Sequence, residues 1–93
     1  MKIELQIFGQ FQKFFESKSS FLEIPEGYTI LDVFMYLTAQ HGEEFEKLLF
    51  YEGKVRTFYT ILINEQLIEH EELSKIVLKD NDKLVVIPYI AGG

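Results

Sequence analysis

Apolar and polar residues alternate from the second position onward: Lys2, Glu4 and Gln6 interleave with Ile3, Leu5 and Ile7, the two-residue period of a strand with one buried face. Gly9 interrupts the pattern. Phe11, Phe14 and Phe15 then fall at offsets of zero, three and four, which predicts a short helical turn over Gln10–Glu16, ended by the polar stretch Ser17–Ser20. Phe21-Leu22-Glu23-Ile24 predicts a second strand, closed by the turn Pro25-Glu26-Gly27. Thr29-Ile30-Leu31-Asp32 has the capping-box form, a hydroxyl that accepts an open helix N–H and an acid three residues on that answers it. Ile30, Val33, Phe34 and Leu37 share one face of the helix that starts there, and Gly42 stands where a left-handed C-terminal cap belongs.

The spacing predicts a further turn or two over Glu43–Phe50, with Phe45, Leu48 and Leu49 inward, and an exposed loop over Tyr51–Arg56 around Gly53. Tyr59–Ile63 is a third strand, turning at Asn64-Glu65-Gln66 into a brief strand at Leu67-Ile68, after which Glu69–Glu72 is polar. Leu73–Lys79 fits a short strand or a helical turn equally, and Asp80-Asn81-Asp82 is a tight turn. Lys83–Tyr89 is a last, buried strand. The order strand, strand, helix, strands predicts an α+β domain over residues 1–89, a mixed sheet of about five strands with one main helix packed on one face.

After that strand the chain runs through Ile90 and Ala91 into Gly92 and Gly93, and residues 90–93 are expected to be a flexible tail. With Gly at about 7% of average residues, two terminal glycines arise by chance in roughly 0.5% of chains. A terminus that carries chemistry is one reason to have them: glycine has no Cβ, and four extended residues reach at most about 13 to 14 Å, enough to thread a narrow channel into another protein's active site. A frayed end is the alternative.

Composition narrows the function classes. The chain of 93 residues holds nine Phe, five Tyr and 47% hydrophobic residues, material for a packed core in one domain. It has no Cys, which removes a disulfide framework, a thiolate metal site and a cysteine nucleophile and makes a cytoplasmic location the simplest expectation. No membrane span and no signal peptide are expected. A net charge of −6 argues against nucleic-acid binding, which needs clustered Lys and Arg, and favours a basic protein partner. His41, at the end of the main helix, reads as a cation at the negative end of the dipole. His70 among Glu69, Glu71 and Glu72 reads as a solvated turn, so no metal site is expected.

Parity points to a docking surface. With Ile3, Leu5 and Ile7 inward, Phe8 falls on the polar face beside Lys2, Glu4 and Gln6. On the last strand Leu84 and Val86 share one face, while Val85 and Ile87 share the other with Lys83. If that second face is open to solvent it presents apolar area next to the tail, as interaction sites do; the alternative is that the turn after Gly9 folds back and covers it.

Three stretches carry a resemblance. Ile7-Phe8-Gly9 with Phe11 and Phe14, the hinge Ile24-Pro25-Glu26-Gly27-Tyr28-Thr29-Ile30, and Asp80-Asn81-Asp82-Lys83 through Pro88-Tyr89-Ile90-Ala91-Gly92-Gly93 together resemble the ubiquitin-like β-grasp proteins, and within them the MoaD/ThiS sulfur carriers. The likeness covers nearly the whole chain and is closest to MoaD, the small subunit of molybdopterin synthase. Tyr89 stands where the MoaD tail usually has a second proline, and Phe50–Thr57 is longer than in the shortest members.

The resemblance implies a non-catalytic carrier. An ATP-dependent activating enzyme would adenylate the Gly93 carboxylate, and a sulfur donor protein would displace AMP to leave a thiocarboxylate. The large subunit of molybdopterin synthase would then receive the tail for molybdenum cofactor biosynthesis. ATP belongs to the activating enzyme, and the chain itself would bind no cofactor. The family's contact positions match Phe8, Leu67 and Ile87, with Tyr89, Ile90 and Ala91 leading to the reacting Gly92-Gly93 pair. The same tail also serves a protein modifier joined to target lysines, or a carrier for thiamine thiazole synthesis. A binding-only β-grasp module with incidental glycines is a further reading.

Overall fold

The computed structural model describes residues 1–89. Five strands form one sheet: β1 (Lys2–Ile7), β2 (Ser19–Glu23), β5 (Tyr59–Ile63), β6 (Gln66–Leu67) and β7 (Lys83–Pro88), in the spatial order β2-β1-β7-β5-β6. β1 and β7 run parallel, and every other neighbouring pair is antiparallel. The helices α1 (Ile30–His41) and α2 (Glu43–Leu49) follow β2. A two-stranded hairpin, β3 (Phe50–Tyr51) and β4 (Lys54–Val55), separates them from β5. This is a mixed five-stranded sheet with the main helix packed on it, as the hydrophobic pattern predicts, in the ubiquitin-like β-grasp arrangement that the resemblance implies.

Burial follows parity along β1: Ile3, Leu5 and Ile7 are buried while Glu4 and Gln6 are only partly so. They join Ile61, Leu84 and Val86 from the sheet and Val33, Phe34, Leu37, Phe45 and Leu49 from the helices in one apolar core. A fully buried Leu, Ile or Phe side chain contributes about 1.5 to 3 kcal/mol, so this layer carries most of the stability.

The start of α1 is satisfied twice over. Asp32 N–H donates to Thr29 Oγ1 at 3.1 Å and Thr29 N–H donates to the Asp32 carboxylate at 2.9 Å, completing the capping box. The two preceding helix donors find carbonyls elsewhere: Ile30 N–H reaches Ile76 O at 3.2 Å and Leu31 N–H reaches Leu73 O at 2.9 Å. The segment Leu73–Lys79 is therefore neither strand nor helix, apart from a single bridge between Val77 and Thr29. It wraps the helix N-terminus and supplies acceptors for N–H groups that a helix cannot satisfy internally, while Leu73 and Leu78 plug into the core.

Tyr51–Arg56 departs from the expected loop. Glu52 and Gly53 take φ of 50° and 79°, the two consecutive positive values of a tight hairpin turn, and Val55 is buried. The preceding residues held no alternation long enough to announce two-residue strands.

The turn after β1 is a 310 helix, Gly9–Phe14. Phe11 is buried against Phe45 and Tyr59, with ring centroids 5.1 and 5.3 Å away. His41, read from sequence as a dipole partner, also lies among the rings of Phe14, Phe15 and Phe45, at 5.5, 5.1 and 5.2 Å. An ion pair between Lys13 and Glu44 ties the same turn to α2 from outside.

Tyr59 links this cluster to the hairpin. Its hydroxyl donates to Leu48 O at 2.6 Å, and burial raises its pKa above 10.0, against a smaller lowering by Arg56. A phenol whose folded pKa lies above its unfolded one lends stability that is full below the unfolded pKa and lost as pH rises through the folded value. Tyr59→Phe should cost about 1 kcal/mol at neutral pH through the lost hydrogen bond and should flatten the fall in stability above pH 10. Denaturant unfolding of both proteins across the alkaline range checks this. An unchanged alkaline slope would place the ionising group elsewhere.

Candidate functional site

The sheet has a second face, away from the helices, and its composition is uneven. Register places Gln6 beside Val85, Val85 beside Leu62, and Leu62 beside Leu67 in one row across β1, β7, β5 and β6. The row nearer the start of the strands holds Phe21, Glu4 and Lys83. Toward the other end, Ile87 pairs with Thr60, and Phe8 follows β1 with its N–H donating to Val86 O at 3.0 Å. One end of the face is charged, and the other is apolar.

Exposure separates the apolar residues. Leu67 is 65% exposed and Ile87 38%, whereas Phe8 is half-buried. Val85, expected beside Ile87 as open apolar area, is only 8% exposed. It sits in the middle of the sheet with Gln6 and Leu62 on its two sides, where a central strand has a neighbour on either flank. The covering turn envisaged as an alternative does not lie here. Gly9–Phe14 sends Phe11 to Phe45 and Tyr59 on the helix side, which leaves Leu67 and Ile87 open.

Beyond Ile87 the chain is held on one side. Tyr89 N–H donates to Phe58 O at 2.7 Å, and both side chains are exposed, 69% for Tyr89 and 46% for Phe58. The apolar surface therefore continues from Leu67 and Leu62 past Ile87 and Phe8 to the Tyr89–Phe58 pair. Ile90, Ala91, Gly92 and Gly93 lie outside the described residues. Sequence reasoning missed Leu62 and Phe58. Parity in β5 would have found Leu62, opposite in face to the buried Tyr59 and Ile61, but Phe58 precedes the strand and has no periodic signal.

Polar chemistry is sparse on this face. Lys2 lies over the Phe21 ring at 4.8 Å, and Ser19 Oγ donates to Glu4 Oε2 at 2.5 Å, both at the charged end. Among the described residues no group of three His, Cys, Asp or Glu is placed to hold a metal ion, and no helix is long and apolar enough to cross a membrane. His70, on a second 310 turn (His70–Glu72), has its Nε2 3.2 Å from Arg56 O. What the described face can do is dock, with Tyr89 at its edge.

The ThiS family model matches residues 5–93. Small archaeal modifier protein 3 of Haloferax volcanii is 28% identical over 93 residues, covering 100% of both chains. In solved structures, the Haloferax volcanii HVO 2177 protein is 28% identical, with a TM-score of 0.81 over 100% of this chain and 87% of that one. A putative molybdopterin converting factor subunit 1 from Pyrococcus furiosus is 21% identical, with a TM-score of 0.69 over 96% of this chain and 98% of that one, a likeness of fold.

Because Leu67 is exposed and sits on the short edge strand β6, Leu67→Asp should change folding stability by no more than about 0.5 kcal/mol. Chemical denaturation measures it. A loss of 2 kcal/mol or more, the size of a core truncation, would show that Leu67 packs inside the fold.

Proposed function

The chain belongs to the ThiS family of ubiquitin-like sulfur carriers, and from that premise we propose that it works as the sulfur-carrying small subunit of a molybdopterin synthase, with Gly93 as the reacting terminus. The observation that carries the reading is the family match, which runs through Gly93. The apolar face leading from Leu67 through Ile87 and Phe8 to Tyr89 supports it.

A carboxylate at neutral pH is a poor electrophile, since its charge repels nucleophiles and oxide is a poor leaving group. Activation proceeds by attack of a Gly93 carboxylate oxygen on the α-phosphorus of ATP in a partner enzyme, with pyrophosphate leaving and an acyl-adenylate formed. A donor that delivers sulfur at the sulfide level then attacks the carbonyl carbon. The C–S bond forms, the C–O bond to AMP breaks, and a thiocarboxylate remains with no net oxidation or reduction. Docked on the large synthase subunit, its sulfur is the nucleophile toward the pterin precursor. This chain supplies the reacting atom and the docking face, while ATP, substrate and proton-transfer groups belong to partners.

The full-length similarity to an archaeal modifier protein favours a second reading with the same first step. There a lysine amine of a target protein attacks the adenylate, releasing AMP and a proton and leaving an isopeptide bond. Intact-mass spectrometry of the chain isolated with its own activating system distinguishes the two. A sulfur-for-oxygen mass increase on Gly93 supports the carrier, whereas branched Gly-Gly peptides on other proteins, without that increase, support the modifier. Neither product would overturn both.

Two substitutions test the parts. Deleting Gly93, or adding a residue after it that is not trimmed, should abolish activation while leaving unfolding unchanged, because among the described residues the core lies before Pro88. Phe8→Ala should weaken association with the large subunit or the activating enzyme by about 2 kcal/mol, the scale of an interface anchor. Its cost to folding should be smaller, since Phe8 is only half-buried. Equal losses in titration calorimetry and in denaturation would make Phe8 a core residue.

A further inference from the structure

Gly9 follows Phe8 directly and takes φ of +81°. A Cβ at that position would lie 2.8 Å from Cγ of Pro88 and 3.5 Å from its Cδ. The first distance is well inside van der Waals contact. Pro88 is the last residue of β7, and its ring is fused to the backbone. The ring can repucker at Cγ but cannot swing aside as a flexible side chain would, so a side chain at residue 9 presses on the main chain at residue 88.

Hydrogen bonding gives Pro88 a second role at the same point. Phe8 N–H donates to Val86 O, so the next nitrogen of β7 aimed at β1 in a parallel ladder is that of residue 88. Proline has no N–H to give, and the pairing with β1 stops there. On the β5 side Tyr89 N–H still holds Phe58 O at 2.7 Å. The chain therefore leaves the sheet clasped between a ring seated on Gly9 and one backbone hydrogen bond to Phe58.

We propose that Gly9 is a positioning residue for the chemistry at Gly93: by lacking a side chain it seats Pro88, and the seated ring fixes the direction in which the chain leaves the docking face. The proposal rests on the function proposed above and deepens it. The face formed by Leu67, Ile87 and Phe8 sets where the protein docks, and the Gly9–Pro88 seat sets where the reacting end is delivered. The seat thereby sets the direction in which the segment after Tyr89 is presented to a partner that takes it up. A misplacement of about 1 Å at the reacting atoms is enough for a hundredfold loss of rate.

Gly9→Asn isolates the seat, because Asn tolerates positive φ better than other residues with a side chain while its Cβ still meets the ring. Pro88→Ala removes Cγ and Cδ, and the remaining Cβ lies at an ordinary 3.8 Å. The first measurement uses this chain alone. Hydrogen exchange at the Tyr89 amide should speed up severalfold in Gly9→Asn, with exchange in α1 unchanged, and should return toward the native rate in Gly9→Asn/Pro88→Ala. The second is pyrophosphate exchange into ATP by the activating enzyme as a function of carrier concentration. Gly9→Asn should lower kcat tenfold or more with KM within about twofold, and Pro88→Ala, which removes the ring that Gly9 seats, should lower kcat in the same way. Native exchange at Tyr89 in Gly9→Asn overturns the seat whatever the enzyme does. A KM rise with unchanged kcat, or a native kcat in Pro88→Ala, overturns the positioning role. If the native chain is itself not activated, the proposed function and the role at Gly93 both fail, and only the exchange arm still reports on the seat.

Discussion

The parallel pairing of β1 with β7 is the constraint on which the rest of the molecule depends. Parallel neighbours cannot be joined by a tight turn, and here almost the whole chain lies between them. The first and last strands occupy the middle of the sheet, with β2 outside one and β5 outside the other. Everything in between has to leave on one side, cross the sheet as α1 and return. The pairing also brings Ile7, Phe8 and Gly9 to the same end of the sheet as Val86, Ile87 and Pro88. Residues some eighty positions apart thus form one surface, and whatever follows Tyr89 starts from it.

The two faces of the sheet divide the work. On the helix side Ile3, Leu5, Ile61, Leu84 and Val86 are sealed under α1 and α2, and truncations there cost cavity energy as well as transfer energy. On the other side the apolar residues apart from Val85 are exposed or half-buried and contribute less to folding. An exposed apolar residue still has its water to lose; the core residues have lost theirs already. Strand alternation lets six consecutive residues serve both purposes.

Much of this was readable in the residues. The alternation in Lys2–Ile7 and the spacing of Ile30, Val33, Phe34 and Leu37 specify β1 and α1, because burial on one face forces a period. The Thr29/Asp32 capping box marks the helix start to the residue. Reading failed where tertiary partners decide. Leu73–Lys79 has no conformation of its own to announce, since its carbonyls are recruited by the N-terminus of α1. Val85 obeys parity yet is covered, because a central strand has neighbours on both sides and local sequence does not say which strand is central. His41 among three phenylalanine rings, Phe58 beside Tyr89 and the Gly9–Pro88 contact are meetings of distant residues, and no local pattern encodes them.

Register is what such a design has least freedom to lose, because a slip of one residue exchanges the faces of a strand. On β7 that slip would bring Leu84 and Val86 outside and turn Ile87 inward, breaking up the core and the exposed apolar face together. The turn Asp80-Asn81-Asp82 opposes it. Lys2 N–H donates to Asp80 Oδ1 at 2.8 Å, Asn81 N–H to Lys2 O at 2.7 Å, and Glu4 N–H to Asp82 O at 2.9 Å, which pins the entry of β7 to β1. Lys83 N–H donates to Asn64 Oδ1 at 2.9 Å and Asn64 N–H to Lys83 O at 2.9 Å, which pins it to the β5–β6 turn. Asn81 supplies the positive φ of 71° that the tight turn requires. These polar residues sit at the start of a six-residue strand, about 20 Å from Pro88. Their effect is indirect and large: by fixing where β7 begins, they decide which of its side chains face outward and which residue of the chain stands against Gly9 when the sheet ends.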